Sequence, residues 1–197
     1  MKYYLKMVLM PFIYLLFSAM LGASIMLLDK DMMVLEYLLC LVNMAFYALI
    51  IGFAGFKDGQ GELKIRMEND MYRRRIIETG EDYPIRELEE YKPWKGCLIG
   101  LLSAIPTIVL IIAHFILLAS STSVDNSFGV IAGLLNMVVF SFFMVGGTLA
   151  PWHYVFSLLY IPFIFLVYGL PYYLGGKQMQ KQYDKIEDIK KQIGEGK

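Results

Sequence analysis

Two titratable side chains stand inside long apolar runs of this sequence, Glu36 and His114. Such groups are rare in a bilayer-length apolar stretch and mark ion or proton pathways by default. A carboxylate and an imidazole within reach of each other can relay a proton or hold a cationic solute. A plainer reading stands beside this one. Glu36 can reach polar head groups, and His114 can donate to a backbone carbonyl. Asn43 and Asn136 are the other candidates, and amides at that depth more often tie helices together than bind ligands.

Further chemistry is sparse. There is no Gly-x-Ser-x-Gly, no phosphate-binding Gly-rich loop and no His-Glu-x-x-His. Two His and two Cys without ligand spacing predict neither a metal site nor a cofactor. Cys40 and Cys97 read as small packing residues at opposite depths, out of reach of a disulfide. With no nucleophile and base in register, a non-enzymatic role is expected.

The elements that must position these residues follow from the hydropathy pattern. The chain is 57% hydrophobic, against about 45–50% for a soluble domain, and its mean hydropathy is +0.53. The excess is gathered into apolar runs at 7–28, 32–56, 97–119, 127–145 and 153–174. Crossing a hydrocarbon core of roughly 30 Å takes about 20 helical residues, and a soluble helix would keep a polar stripe that these runs lack. The fold class expected is therefore an all-α, polytopic helical membrane protein. Net charge is zero, so nothing draws the chain to nucleic acid. Lys2 and Lys6 before the first run resemble a signal peptide, but the run exceeds the roughly 7–15 residues of such a core. It reads as an uncleaved first span.

Residues 57–96 interrupt the apolar runs and carry nine of the eighteen Lys and Arg, including every Arg. Basic residues near span ends mark the cytoplasmic side. A cytoplasmic N-terminus, an outer turn at 29–31, a cytoplasmic loop at 57–96 and an outer connector at 120–126 are mutually consistent. The tail, 175–197, holds six Lys and should also be cytoplasmic. The stretch 127–174 must then cross once, because three crossings do not fit. That makes 127–145 a re-entrant or interfacial segment, turning out near Gly146, Gly147 and Pro151. The rival keeps 127–145 as a plain fifth span and places the Lys-rich tail outside. The organisation is thus a hairpin within 1–56, the polar loop 57–96, a membrane region 97–174 and the tail. Composition and short outer loops suggest a bacterial inner membrane.

Within the polar loop, Leu63, Met67 and Met71 predict a helix over 61–79, with pairs Glu62–Arg66 and Asp70–Arg74 and a stop at Gly80. A turn at 81–84 and a short acidic helix at 85–91 follow, with Glu89 and Glu90 on a solvated face. Arg73, Arg74 and Arg75 are candidates for lipid head-group contact, unless this helix packs on the inner ends of the spans. Trp94 and Lys95 read as interface anchors of the third span, and Pro106 should kink it. In the tail, Met179, Tyr183, Ile186, Ile189 and Ile193 predict an amphipathic helix. It offers a partner-binding face or folds back on its own loop. The partners expected are the bilayer and another membrane or cytoplasmic protein, met through 57–96 and 175–197. The role expected is an accessory or scaffold subunit. The alternative is a small solute or ion transporter or channel using Glu36 and His114 in the outer half.

Overall fold

The computed structural model describes residues 2–25, 33–120, 127–145 and 151–195. The turn at 29–31, the connector at 121–126 and the Gly146–Gly147 turn lie outside the described residues. The chain is all-α, and four of its helices are long and apolar enough to cross a membrane.

Helix α1 (Lys2–Ile25) runs antiparallel to α2 (Met33–Thr79). Tyr3 meets Glu62, Tyr47 donates to the Pro11 carbonyl at 3.2 Å, and Ser18 donates to the Asn43 side chain at 3.0 Å. Gly22 leaves room on α1 for a further element: a Cβ there would stand 2.6 Å from the Met137 side chain. Helix α3 (Lys95–Ser120) starts beside the start of α1, with the Lys95 ammonium over the Tyr3 and Tyr4 rings. A 3-10 segment (Pro151–Leu159), α6 (Tyr160–Ile164), a π turn (Phe165–Gly169) and α7 (Leu170–Glu195) then form one helical rod. Pro162 and Pro171 lack the N–H that regular α-helix needs, and the π turn falls between them.

The rod runs antiparallel to α3, with Gly96 against Tyr172 and Gly100 against Ile164. It runs parallel to α2: Gly52 faces Val167 and Pro171, Gly55 faces Tyr168, and Gly59 faces Tyr172 and Gly176. Gln60 then donates to Gln178 at 3.1 Å. The four long elements go up, down, up and down. The N-terminus, the polar stretch after Phe56 and the tail therefore share one end of the bundle, the polar end.

Between the end of α3 and the rod lie two short helices, α4 (Ser127–Leu135) and α5 (Met137–Met144). At nine and eight residues, each is about 12–14 Å long. Gly129 packs on His114 and Tyr154 near the far end, while Asn136 bonds Thr107 at the middle of α3. From there α5 turns back, and Phe140 stacks on Tyr154 at 5.8 Å. The pair enters the bundle from the far end and returns toward it. No single helix covers 127–145, because the helix breaks at Asn136.

The polar segment differs from the expectation in one large respect. No loop separates residue 56 from a new helix at 61; α2 continues unbroken to Thr79, 47 residues in all, or about 70 Å. Gly80 ends it at φ 72°, its N–H donating to the Ile76 carbonyl at 2.9 Å. The acidic helix expected at 85–91 is only a 3-10 turn, Glu87–Glu89.

Polarity is distributed inside out. Ser18, Glu36, Asn43, Thr107, His114 and Asn136 are buried, whereas Val34, Leu49, Phe53, Val109 and Ile116 are more than half exposed. Water would penalise that arrangement strongly.

Candidate functional site

The densest polar cluster lies at the polar end, where every long element contributes one group. Glu62 and Lys95 are its centre. Their side chains are 2% and 1% exposed, and Lys95 Nζ lies 2.7 Å from Glu62 Oε1. The same oxygen accepts from the Tyr3 hydroxyl, and Glu62 Oε2 accepts from the Tyr172 hydroxyl. Lys95 donates a further bond to the Leu88 carbonyl at 3.0 Å and rests over two tyrosine rings at 4.8 and 5.0 Å. Beside this pair, Tyr168 donates to Asp58 Oδ2 at 2.8 Å.

Burying two charges carries a desolvation cost of several kcal/mol per ion, about, which only good geometry and further hydrogen bonds offset. Both are present here. The Glu62 carboxylate accepts from three donors, and Lys95 has a carboxylate, a carbonyl and two π faces around it. The cluster is closed, with Glu62 and Lys95 shielded from incoming solute. It acts as a clamp joining α1, α2, α3 and the rod.

Two tyrosines and a loop extend the clamp. Tyr91 N–H donates to the Glu62 carbonyl at 3.2 Å, and its ring stacks on Tyr172 at 5.3 Å. Its hydroxyl donates to the Tyr173 carbonyl at 3.3 Å. Burial pushes the Tyr91 hydroxyl above its ordinary pKa; the Glu62 charge acts in the same direction and the Arg66 charge opposes it. The return segment 81–94 is also pinned to α2. Asn69 accepts from the Arg86 N–H at 3.1 Å and donates to Glu90 at 2.8 Å, and Arg86 pairs with Glu68 at 2.7 Å.

Several sequence expectations resolve differently. Lys95 is not an interface anchor but a fully buried ion-pair partner; Trp94 beside it is 56% exposed. Glu62 serves Lys95, and no ion pair joins it to Arg66. Asp70 pairs with Arg73 at 2.9 Å, not with Arg74. Glu90 is not solvated; it takes Arg73 at 2.6 Å as well as Asn69. Of the three arginines, Arg73 is thus held by carboxylates, while Arg74 and Arg75 are exposed. Both cysteines are free, Cys40 buried and Cys97 half-buried.

Glu36 and His114 are both buried, 7% and 0% exposed, but in different surroundings. Glu36 lies on α2 one turn before Cys40. His114 lies on α3 against Phe115 and Tyr154, both at 5.3 Å. Helices α2 and α3 have almost no close backbone approach, and no ion pair joins the two side chains. Asn43 and Asn136 do tie helices together. Asn43 donates to the Ser18 carbonyl at 3.2 Å, and Asn136 donates to Thr107 at 2.9 Å and to the Ala132 carbonyl at 2.8 Å. Comparison with family models, curated proteins and solved structures finds no match to this chain.

Proposed function

We propose that the chain is a multi-pass membrane protein acting as a non-enzymatic accessory or scaffold subunit. In this reading α1, α2, α3 and the rod cross the bilayer, α4 and α5 dip in from the outer side, and the polar end faces the cytoplasm. The charge rule supports that side, since fifteen of the eighteen basic residues lie in 57–96 or 175–197, nine in the first and six in the second.

The observation that carries the scaffold reading is the parallel extension of α2 and α7 beyond the apolar bundle. From Phe56 to Arg74 is 18 residues, or about 27 Å along the helix. Head-group layers are only about 5–8 Å thick per leaflet, so Arg74 and Arg75 stand clear of lipid and face a partner instead. The clamp at Glu62 and Lys95 fixes the base of this projection. Along it, Met71, Ile77, Ile186 and Ile189 are exposed, at 45%, 84%, 49% and 55%. Apolar residues spaced among charges on a projecting helix suit a helical partner in the cytoplasm.

A photocrosslinker placed at Ile186 in the full-length, membrane-embedded chain should yield a discrete adduct. Ile189→Asp should reduce that adduct at least tenfold, because an acid on the contact face leaves a charge unpaired. An adduct unchanged by Ile189→Asp, or none at all, removes the scaffold reading.

One observation favours a second reading, a small transporter or channel. The helix broken at Asn136 puts irregular backbone at depth, which is tolerated where it is buried in protein or lines a water-filled cavity. Glu36 and His114 are buried titratable groups on that side. If transport is the function, Glu36→Gln and His114→Ala should each cut solute flux in proteoliposomes of the pure protein at least tenfold, as loss of a pathway group implies. Full flux in both variants ends this alternative.

A further inference from the structure

A groove of about 420 Å³ runs between α1 and α2 just short of the clamp. Its floor and walls are apolar, with Met10, Ile50 and Phe53 among them, and Lys6, Lys57 and Asp58 stand at its polar mouth. Both lysines are exposed. The Lys57 ammonium lies 4.5 Å over the Phe53 ring, so its stem lies along the groove wall rather than reaching into solvent. The Asp58 carboxylate accepts from Tyr168 on the bundle side at 2.8 Å. Two cations and one bound carboxylate leave the mouth at net +1.

We infer that this groove is a site for one anionic phospholipid of the cytoplasmic leaflet, its phosphate between Lys6 and Lys57 and an acyl chain along Met10, Ile50 and Phe53. The inference rests on the membrane reading above. Three features of the groove match such a molecule. It is apolar for most of its length, as a chain requires. Its cations sit at one end only, where the apolar part of α2 gives way to charge. That end is the one the basic residues assign to the cytoplasmic surface, where anionic lipids and basic pockets between helices meet. A zwitterionic phospholipid would fill the apolar part equally well and carries the same phosphate, but its headgroup cation offsets that charge and would stand against the two lysines. The distinction is therefore one of charge, and it can be measured.

The experiment uses the full chain in detergent, titrated with dioleoyl phosphatidylglycerol or dioleoyl phosphatidylcholine and read by native mass spectrometry. The wild-type chain should hold one phosphatidylglycerol in preference to phosphatidylcholine by about tenfold or more at low salt. Lys6→Gln/Lys57→Gln should erase the preference while leaving phosphatidylcholine binding unchanged. Ala54→Phe, which narrows the groove and keeps both lysines, should weaken the two lipids alike. Equal binding of the two lipids by the wild type overturns the inference, and so does a preference that survives the double lysine substitution. Should Ala54→Phe fail to fold, the lysine variant decides alone, since both its sites are exposed. A prior carbonate wash separates the two levels of failure. A chain washed off the membrane fails the membrane reading and this site together; one that stays but shows no lipid preference fails only here.

Discussion

Lys95→Met is expected to destabilise the bundle by about 3–5 kcal/mol, because it leaves the Glu62 carboxylate buried without its countercharge. The protein groups that remain, the Tyr3 and Tyr172 hydroxyls, donate to the anion but bring no positive charge. The double variant Glu62→Gln/Lys95→Met should recover most of the loss. A neutral amide can still accept from Tyr3 and donate to Tyr172, and the methionine fills the volume beside the Tyr3 and Tyr4 rings. Replacement of a whole buried pair by groups of similar shape is often neutral or better. The measurement is thermal unfolding in detergent of wild type, single variant, double variant and the exposed control Lys181→Met. The order expected is single variant lowest, with the other three close together. A single variant that melts with the control would show that Glu62 is hydrated or protonated in place, and the clamp would lose its role as the base of the cytoplasmic projection.

How the clamp escaped the sequence is a matter of which signal was read. Hydropathy shows the apolar runs clearly, and four of the five are where the long helices stand. It also draws a border at Phe56, because Lys57, Asp58 and Gln60 follow. The helix does not stop there, since nothing in 57–60 breaks it and Gly59 is tolerated where the rod packs close. The signal that crosses the border is spacing. Glu36, Cys40, Asn43, Tyr47, Ile51, Gly55, Gly59 and Glu62 recur at intervals of three and four and are all buried on α2. The stripe mixes two acids, an amide, a phenol and two glycines with Cys40 and Ile51, so no hydrophobicity scale registers it, although its period is that of one helix face. The same blindness applies to Lys95. A lysine beside a tryptophan at the mouth of a span is the usual interface anchor, and only the three-dimensional return of Tyr3 and Glu62 makes it a buried cation. By contrast, charge counting groups the tail with 57–96, and the parallel packing of α2 and the rod puts both at one end of the bundle. The break at Asn136 was not visible, because Asn in an apolar run looks the same whether it joins helices or interrupts one.

The glycines of that stripe support an expectation opposite in sign to the usual rule. Gly→Ala inside a helix normally stabilises by about 1 kcal/mol, and Gly61→Ala should do so here by about 0.5–1 kcal/mol, since nothing lies within 4 Å of the added methyl. Two residues earlier the result should reverse. A Cβ on Gly59 would stand 2.0 Å from the Tyr172 carbonyl oxygen and 2.9 Å from its carbon. Those are backbone atoms, so no side chain can swing aside, and the rod as a whole must move. Across the same seam a Cβ on Gly175 would meet the Phe56 carbonyl at 2.1 Å, so the two helices are interlocked from both sides. Overpacking of this kind costs about 1–3 kcal/mol and occasionally more, and Gly59→Ala belongs at the upper end. Tyr172 links this seam to the clamp, for the residue whose carbonyl meets Gly59 also donates its hydroxyl to Glu62. Pushing the rod away should therefore loosen the Glu62–Lys95 pair, and the losses from Gly59→Ala and Lys95→Met should combine to less than their sum by about 0.5–3 kcal/mol. Strict additivity in that cycle, or a Gly59→Ala protein as stable as Gly61→Ala, would mean that the rod does not lie against α2 as closely as Gly59 requires, and the parallel pairing that places the tail beside 57–96 would fail with it.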